Sequence, residues 1–347
     1  MDKLVFIVDY YFYKNSLGKT SYNFVNYLTK SKSYEIKLFY TDEDTTIVQN
    51  KINEFNPKMI IVFEINAFQA NTRKFNFIFD LNIPIYLFLD DTYYISSLTA
   101  NCEYTKLVNG FIFWYKNDMI KKSYEIKYPI KQIVNFSSRY VNTGIYKDYG
   151  LPKIYDILLY GTRYFSYNYK NEEIIPIQKW ISKYENVNNV TINNKINFYP
   201  LRFKLENIFK NNTHKYNVKI LNESTINDAK IANEELSKLI NQSHLTVACS
   251  SLADVLLHKH LEISASKSVI LGSYPTDYKN LFDGNIVEVN EFMSDDEILS
   301  IIDDALKNKD KLAEMADRIY NKVRAEHNLD KAVESFNDVI TQIFGYK

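Results

Sequence analysis

Short apolar runs separated by amphipathic segments recur along this chain, and that alternation restricts its fold more than any other feature. In residues 1–140 the runs are LVFIV (4–8), YEIKLFY (34–40), PKMIIVFE (57–64), IPIYLFLDD (83–91), GFIFWY (110–115) and IKQIVNF (130–136). Helical patterns such as Tyr22–Leu28 and Ile47–Phe55 lie between them. Buried strands joined by helices predict a parallel, doubly wound α/β sheet. The stretch 141–153, VNTGIYKDYGLPK, holds Gly144, Gly150 and Pro152 and reads as a linker. The alternation then resumes with IYDILLYG (154–161), YNVKIL (216–221), HLTVACS (244–250), Ser268–Leu271 and Ile286–Val289. Residues 154–328 therefore read as a second parallel-sheet domain, and 347 residues suit two domains. From Ser294 the chain is helical. Ser294 and Glu297 have the spacing of a capping box, and 329–347 holds a last helix.

Composition narrows the class. The 42 basic and 42 acidic residues cancel, which argues against a nucleic-acid-binding footprint over the whole chain. Two cysteines, Cys102 and Cys249, make no disulfide framework and suit a reducing compartment. The start runs straight into the strand Leu4–Val8 without the pattern of a signal peptide, and no apolar stretch is long enough to span a bilayer. A cytoplasmic location is expected. The richness in Ile, Asn, Lys, Tyr and Phe fits an AT-rich coding genome, bacterial or viral.

In open parallel sheets, ligands bind beyond the carboxyl ends of the strands, so residues at those ends are the first candidates. Gly161 and Thr162 follow the strand at 154–160. A glycine there lets a diphosphate approach the backbone, and Arg163 would neutralise it. Tyr199-Pro200-Leu201-Arg202 opens a helix, with proline in the first turn. Asp254 and Glu262 are eight residues apart. They share one side if a single helix runs through both, and address two parts of one ligand if a loop interrupts them. Lys259 lies between them. In the first half, Asp90 and Asp91 end the fourth strand, where a carboxylate would orient or deprotonate a hydroxyl. Gly18 opens the first helix. SLGKTS (16–21) is not a phosphate loop, because no earlier glycine precedes Gly18. Asp42 and Asp44 form an Asp-x-Asp pattern in a polar turn, read as solvated rather than as a metal site.

HKHLEISASKSVIL (258–271), SYPTDYKNLF (273–282), Gly161-Thr162 and Tyr199–Arg202 together resemble the donor half of two-domain, GT-B type group 1 glycosyltransferases. Among these, the chain is most similar to the group that includes the bacterial spore-maturation enzymes. The resemblance covers the second domain well and the first more weakly. It departs from the group at Lys267, where glycine is commoner, and at Asp254, where the family's earlier acid is Glu. It implies two Rossmann-like domains facing a cleft, with the last helix crossing back to the first domain. The donor is then a nucleoside-diphosphate sugar, UDP- or GDP-linked, used as a co-substrate with no tightly bound cofactor or metal. Glu262 matches the acid that holds the ribose, Asp254 the acid that faces the sugar, and Lys259 a lysine common before the aromatic-Glu pair. Arg163, Arg202, Gly161 and Thr162 fall to the diphosphate. Gly18 borders the acceptor side, and Asp90 and Asp91 match a strand-end acid. The acceptor would be a glycan, a protein or a lipid-linked sugar, and nucleic acid is not expected. Retention is favoured over inversion. A nucleotide-sugar epimerase of the same architecture and a non-catalytic nucleotide- or glycan-binding scaffold are the alternative readings.

Overall fold

The computed structural model describes residues 2–8, 18–30, 33–63, 72–89, 103–114, 116–136, 139–163, 166–167, 173–184, 191–192, 195–221 and 233–345. They form two compact units. The first comprises Met1–Ser138, Glu173–Ile175 and Leu329–Lys347, and the second Arg139–Glu172 and Pro176–Asn328.

The first unit is a parallel sheet of β1 (Asp2–Val8), β2 (Tyr34–Tyr40), β3 (Met59–Phe63), β4 (Ile85–Leu89), β5 (Gly110–Phe113) and β6 (Gln132–Asn135), in the order β2-β1-β3-β4-β5-β6. Helices α1 (Gly18–Lys30), α2 (Thr45–Phe55) and α3 (Asp118–Lys127) belong to the connections. MIIVF of β3 and IYLFL of β4 are buried at every position, as expected for strands covered on both faces. Much of the core is aromatic. Trp114 stacks on Phe136 at 5.1 Å, Phe63 on Phe88 at 4.7 Å, and Phe24 meets Trp114 edge-on at 4.8 Å. Asp44 of the Asp-x-Asp pattern caps α2 by accepting from the Ile47 amide, and Glu43 accepts from the Tyr40 amide. That acidic turn thus serves the helix start.

The second unit has a parallel sheet of β7 (Tyr155–Leu159), β8 (Val218–Ile220), β9 (Ser243–Ala248), β10 (Val269–Gly272) and β11 (Ile286–Glu288), ordered β8-β7-β9-β10-β11. Its helices include α4 (Ile175–Tyr184), α5 (Pro200–Asn211), α6 (Asn233–Asn241), α7 (His258–Ala265), α8 (Asp295–Lys307) and α9 (Lys309–Glu326). Successive residues of β7 feed opposite cores. Leu158 and Tyr160 pack with Leu256, Leu261 and Phe282, while Ile157 and Leu159 pack with Leu205, Val247 and Ile298. A small antiparallel sheet of Ser166–Tyr167, Lys195–Asn197 and Thr191–Ile192 is not legible in the sequence, because strands of two or three residues carry no periodic signal.

The last helix, α10 (Leu329–Phe344), is part of the first unit. Its Phe336 lies 5.8 Å from Phe24 and 6.0 Å from Phe6. The stretch 141–153, expected to be a linker, is instead folded onto the second unit. Val141 and Tyr146 enter its core, and the Asp148 carboxylate accepts from the Gly150 amide, Asn241 and Lys267. Gly and Pro do mark turns there, but two buried apolar side chains tie the segment down.

Lys267 follows the end of α7 in the left-handed region, at φ 60°. Its amide donates to the Ser264 carbonyl, and the Ser268 amide to that of Ile263, which closes the helix. Glycine adopts this conformation without strain. Here lysine instead bridges Asp148 at 3.0 Å and Asp317 at 2.8 Å. Lys267→Ala keeps the strain and loses both pairs, so it should destabilise by about 1–2 kcal/mol. Lys267→Gly loses the pairs but relieves the strain and should be more stable than the alanine variant by about 1 kcal/mol. Urea unfolding of the two variants checks this, and an alanine variant as stable as the glycine one would contradict it.

Candidate functional site

The carboxyl ends of β7 and β9 lie side by side, because the two strands pair directly. The chain leaves β7 through Tyr160 and Gly161, and it leaves β9 through a turn leading into α7. This proximity builds the site. Lys259, in the first turn of α7, donates its ammonium to the Tyr160 carbonyl and sits over the Tyr160 ring at 3.7 Å. Gly161 has φ +83°, and a Cβ built on it would fall 2.2 Å from Lys259 Nζ and 3.9 Å from Arg202 NH1. The ammonium therefore occupies the space that a side chain at 161 would fill.

Arg202 arrives from the start of α5, whose first turn is set by Pro200. It donates from NH1 to the Thr162 carbonyl at 3.0 Å and stacks on the Tyr199 ring at 4.1 Å. Its Nε is buried with no hydrogen-bond partner. The Nε of Arg163 is likewise buried without a hydrogen bond, but its other groups are engaged. Arg163 donates to the Leu221 and Gly161 carbonyls and pairs with Glu206 at 3.4 Å, while its own carbonyl accepts from Asn197. Lys259, Arg202 and Arg163 are 9 %, 3 % and 5 % exposed, so three cations converge in the interior on the carbonyls of Tyr160, Gly161 and Thr162. Burial pushes the Lys259 ammonium well below the ordinary lysine range, and Arg202 beside it acts in the same sense.

Glu262 is one turn along α7 from Lys259. Its carboxylate accepts from the Tyr160 hydroxyl at 3.2 Å, and the Tyr146 phenol lies near enough to interact with it. Burial raises the Glu262 carboxyl above the usual range, while Lys259 and then the two tyrosines oppose that rise. Both phenols are pushed upward, first by burial and then by the Glu262 charge. His260 faces the opposite way, with its ring nitrogens at the Leu257 and Ser273 carbonyls, and burial holds its pKa down to about 4. It braces the turn after β10.

Gly161, Thr162, Arg163, Arg202, Lys259 and Glu262 are thus brought together, although the sequence spreads them over a hundred positions. Asp254 is placed differently. One continuous helix through Asp254 and Glu262 does not form, since α7 begins only at His258. Asp254 sits in the preceding turn at φ 52°, and both its oxygens lie 3.3 Å from the Thr276 amide. Burial raises its carboxyl pKa. The loop alternative is the observed one. Gly18 lies at the start of α1. Asp90 and Asp91 fall outside the described residues.

Sequence reading missed Tyr146 and Tyr160 as carboxylate partners, and it missed Arg139. The Arg139 guanidinium donates to the Leu256 carbonyl at 2.6 Å and to His258 Nε2 at 3.3 Å, pinning the turn from which α7 starts. Burial and the neighbouring Arg139 charge keep His258 neutral, so that it can accept. His327 Nδ1 meets the Arg139 carbonyl at 2.6 Å. No local pattern marks contacts made across more than a hundred residues. Among the described residues no group of three or more His, Cys, Asp or Glu side chains is arranged to hold a metal ion, and no helix is long and apolar enough to cross a membrane.

Residues 200–338 match the sequence model of a family described as glycosyl transferase-like. No curated protein sequence matches the chain. Among solved structures, Anabaena HepE in complex with UDP-glucose is similar at 9 % identity, over 99 % of this chain and 100 % of that one, with a TM-score of 0.58. A UDP-forming α,α-trehalose-phosphate synthase from Burkholderia xenovorans is 11 % identical over 97 % and 98 % of the two chains, with a TM-score of 0.53. WaaG, a glycosyltransferase involved in lipopolysaccharide biosynthesis, is 11 % identical over 97 % and 99 %, with a TM-score of 0.52. At such identities the likeness is one of fold. The chain has the two-sheet GT-B fold, and its residues 200–338 form a glycosyl transferase-like segment.

Proposed function

We propose that this protein is a glycosyltransferase that moves a sugar from a nucleoside-diphosphate sugar to an acceptor hydroxyl. The observation that carries the reading is the convergence of Lys259, Arg202 and Arg163, all nine-tenths buried, on the loop at Gly161 and Thr162. Buried cations in excess of their carboxylates call for an anion, and a diphosphate supplies two adjacent negative groups. Arg163 is occupied by Leu221, Gly161 and Glu206, so it braces the loop. Lys259 and Arg202 are assigned to the diphosphate. In the reaction the bond between the anomeric carbon and the diphosphate oxygen breaks. The acceptor oxygen bonds that carbon and gives up its proton to the carboxylate of Asp90 or Asp91, and Lys259 and Arg202 stabilise the charge gathering on the departing diphosphate. The glycosyl transferase-like match over 200–338 supports the same reading, since it includes Arg202, Lys259 and Glu262.

Glu262 is assigned to the ribose hydroxyls. Tyr146 and Tyr160 hold its carboxylate from the protein side, and the remaining lone pairs are suited to two hydroxyl donors. Asp254 is assigned to the sugar, and Asp90 or Asp91, with Gly18, to the acceptor side. UDP is the first nucleotide to test, with GDP beside it, because HepE is described with UDP-glucose and the trehalose-phosphate synthase as UDP-forming. Glu262→Gln should weaken binding by about 5- to 150-fold, equivalent to roughly 1–3 kcal/mol. The loss should be equal for the nucleotide and the nucleotide sugar, since both carry the ribose. Calorimetry with UDP, GDP and their glucose conjugates measures it. Unchanged affinity in a folded Glu262→Gln variant would remove the ribose assignment. Mass spectrometry of the products, with and without acceptors, separates transfer from isomerisation and from binding alone.

A further inference from the structure

The whole chain carries no net charge, but the segment 106–131 of the first unit is strongly asymmetric. It holds Lys106, Lys116, Lys121, Lys122, Lys127 and Lys131 against Asp118 and Glu125. The same segment exposes apolar side chains that a folded surface ordinarily covers. Leu107 is 56 % exposed, Ile126 is 69 % and Ile130 is 89 %. Topology puts them together. Leu107 precedes β5 and Ile130 precedes β6, and these parallel strands pair with Gly110 opposite Gln132. Both turns therefore lie at the edge where the strands begin, opposite the edge at which strand-end ligands bind. Lys131 fastens them, since its ammonium donates to the Lys106 and Val108 carbonyls at 2.7 and 2.5 Å, on either side of Leu107. Ile126 is in the last turn of α3, which ends at the turn holding Pro129 and Ile130.

We propose that this patch is a docking surface for an anionic lipid bilayer, with Leu107, Ile126 and Ile130 entering the headgroup boundary and Lys106, Lys122 and Lys127 beside them meeting lipid charge. An exposed apolar cluster within a basic surround is the combination that binds such interfaces. Lys127 makes an ion pair with Glu173 at 2.8 Å, a solvated pair that stays open to competition by lipid phosphate. Lys116, which follows β5, lies at the opposite edge and takes no part. Lys106 and Lys122 add further positive charge, each of the kind that contributes measurably near an anionic surface. The proposal does not depend on the transfer chemistry assigned to the second unit.

Sedimentation of the full chain with vesicles tests it. Vesicles of phosphatidylcholine with about one third phosphatidylglycerol should carry the protein down at low salt, and release should follow as salt rises. Pure phosphatidylcholine vesicles should carry down much less. Ile126→Ser with Ile130→Ser, both at exposed positions, should reduce partitioning by about tenfold or more. Lys106→Glu with Lys122→Glu should reduce it only on the anionic vesicles. Absence of binding to anionic vesicles, or equal binding by the isoleucine variant, overturns the proposal. So does analytical ultracentrifugation in which the protein is a dimer that the isoleucine variant dissociates, because the patch then covers a second copy. Circular dichroism confirms that each variant is folded, and nucleotide affinity should be unchanged in all of them.

Discussion

Substituting Lys259 with methionine should cut the affinity for a nucleoside diphosphate by about 10- to 150-fold, yet leave the stability of the ligand-free protein nearly unchanged. The first half follows from the loss of a charge-assisted contact, typically about 1.5–3 kcal/mol. The second follows from the surroundings of the ammonium. Lys259 is nine-tenths buried beside Arg202, and both burial and that like charge disfavour its protonated form. Removing the ammonium relieves the cost of burying it and its repulsion with Arg202. A methionine sulfur would also lie well over the Tyr160 ring on which Nζ now sits. The offsetting costs are the Tyr160 carbonyl, which loses its ammonium donor, and the buried Glu262 carboxylate, which loses the cation that opposes its burial. Calorimetry with UDP and UMP, and thermal unfolding without ligand, measure the two halves. The loss should be larger for UDP than for UMP. A marked fall in melting temperature with unchanged binding would show that Lys259 is a brace for the loop and not a ligand group.

The same residues show what can be read from the chain alone. Lys259 and Glu262 enter the sequence reading through a family resemblance, and the structure sets both on one short helix, α7, next to Tyr160. Pro200 and Arg202 are identifiable locally, since proline fixes where α5 begins. The Ser294 and Glu297 capping box forms both of its bonds, at 3.2 and 2.7 Å. These are local rules, and they hold where one element decides the geometry. Asp254 defeats such a rule, because residues 251 and 254 both adopt left-handed backbone and break the helix that spacing alone suggests. Tyr146 and Tyr160 are hidden differently. In a chain with 29 tyrosines nothing local distinguishes the two that face a carboxylate. Arg139 reaches His258 across 119 positions, a contact that only the tertiary fold creates.

Gly272→Ala should be the most damaging single substitution in the second unit. Gly272 ends β10 at φ +149°, where L side chains are strained, and pairs with Ala248 of β9. A Cβ built on it would lie 1.7 Å from the Ala248 carbonyl oxygen and 2.9 Å from its carbon. Those are backbone atoms of a neighbouring strand, so no rotamer change can make room. The strands must separate at the edge where β9 passes into the turn before α7. Several contacts meet there. The Ser273 amide donates to the Ala248 carbonyl, the Ser273 hydroxyl accepts from the Ser250 amide, and the Ser273 carbonyl faces His260 Nε2 at 3.0 Å. Backbone strain and overpacking each cost about 1–3 kcal/mol. Together they consume much of a typical stability of about 5–15 kcal/mol. The expected result is a melting temperature lowered by about ten degrees or more, or a second unit that fails to fold. Gly284→Ala is the matched control, because Gly284 also has positive φ (+70°) but nothing within 4 Å of its Cβ position. It bears the conformational penalty alone and should cost only about 1 kcal/mol. Equal melting temperatures for the two variants would mean that the strands part easily at Ala248. The site built around α7 would then be far more compliant than its buried bonds imply.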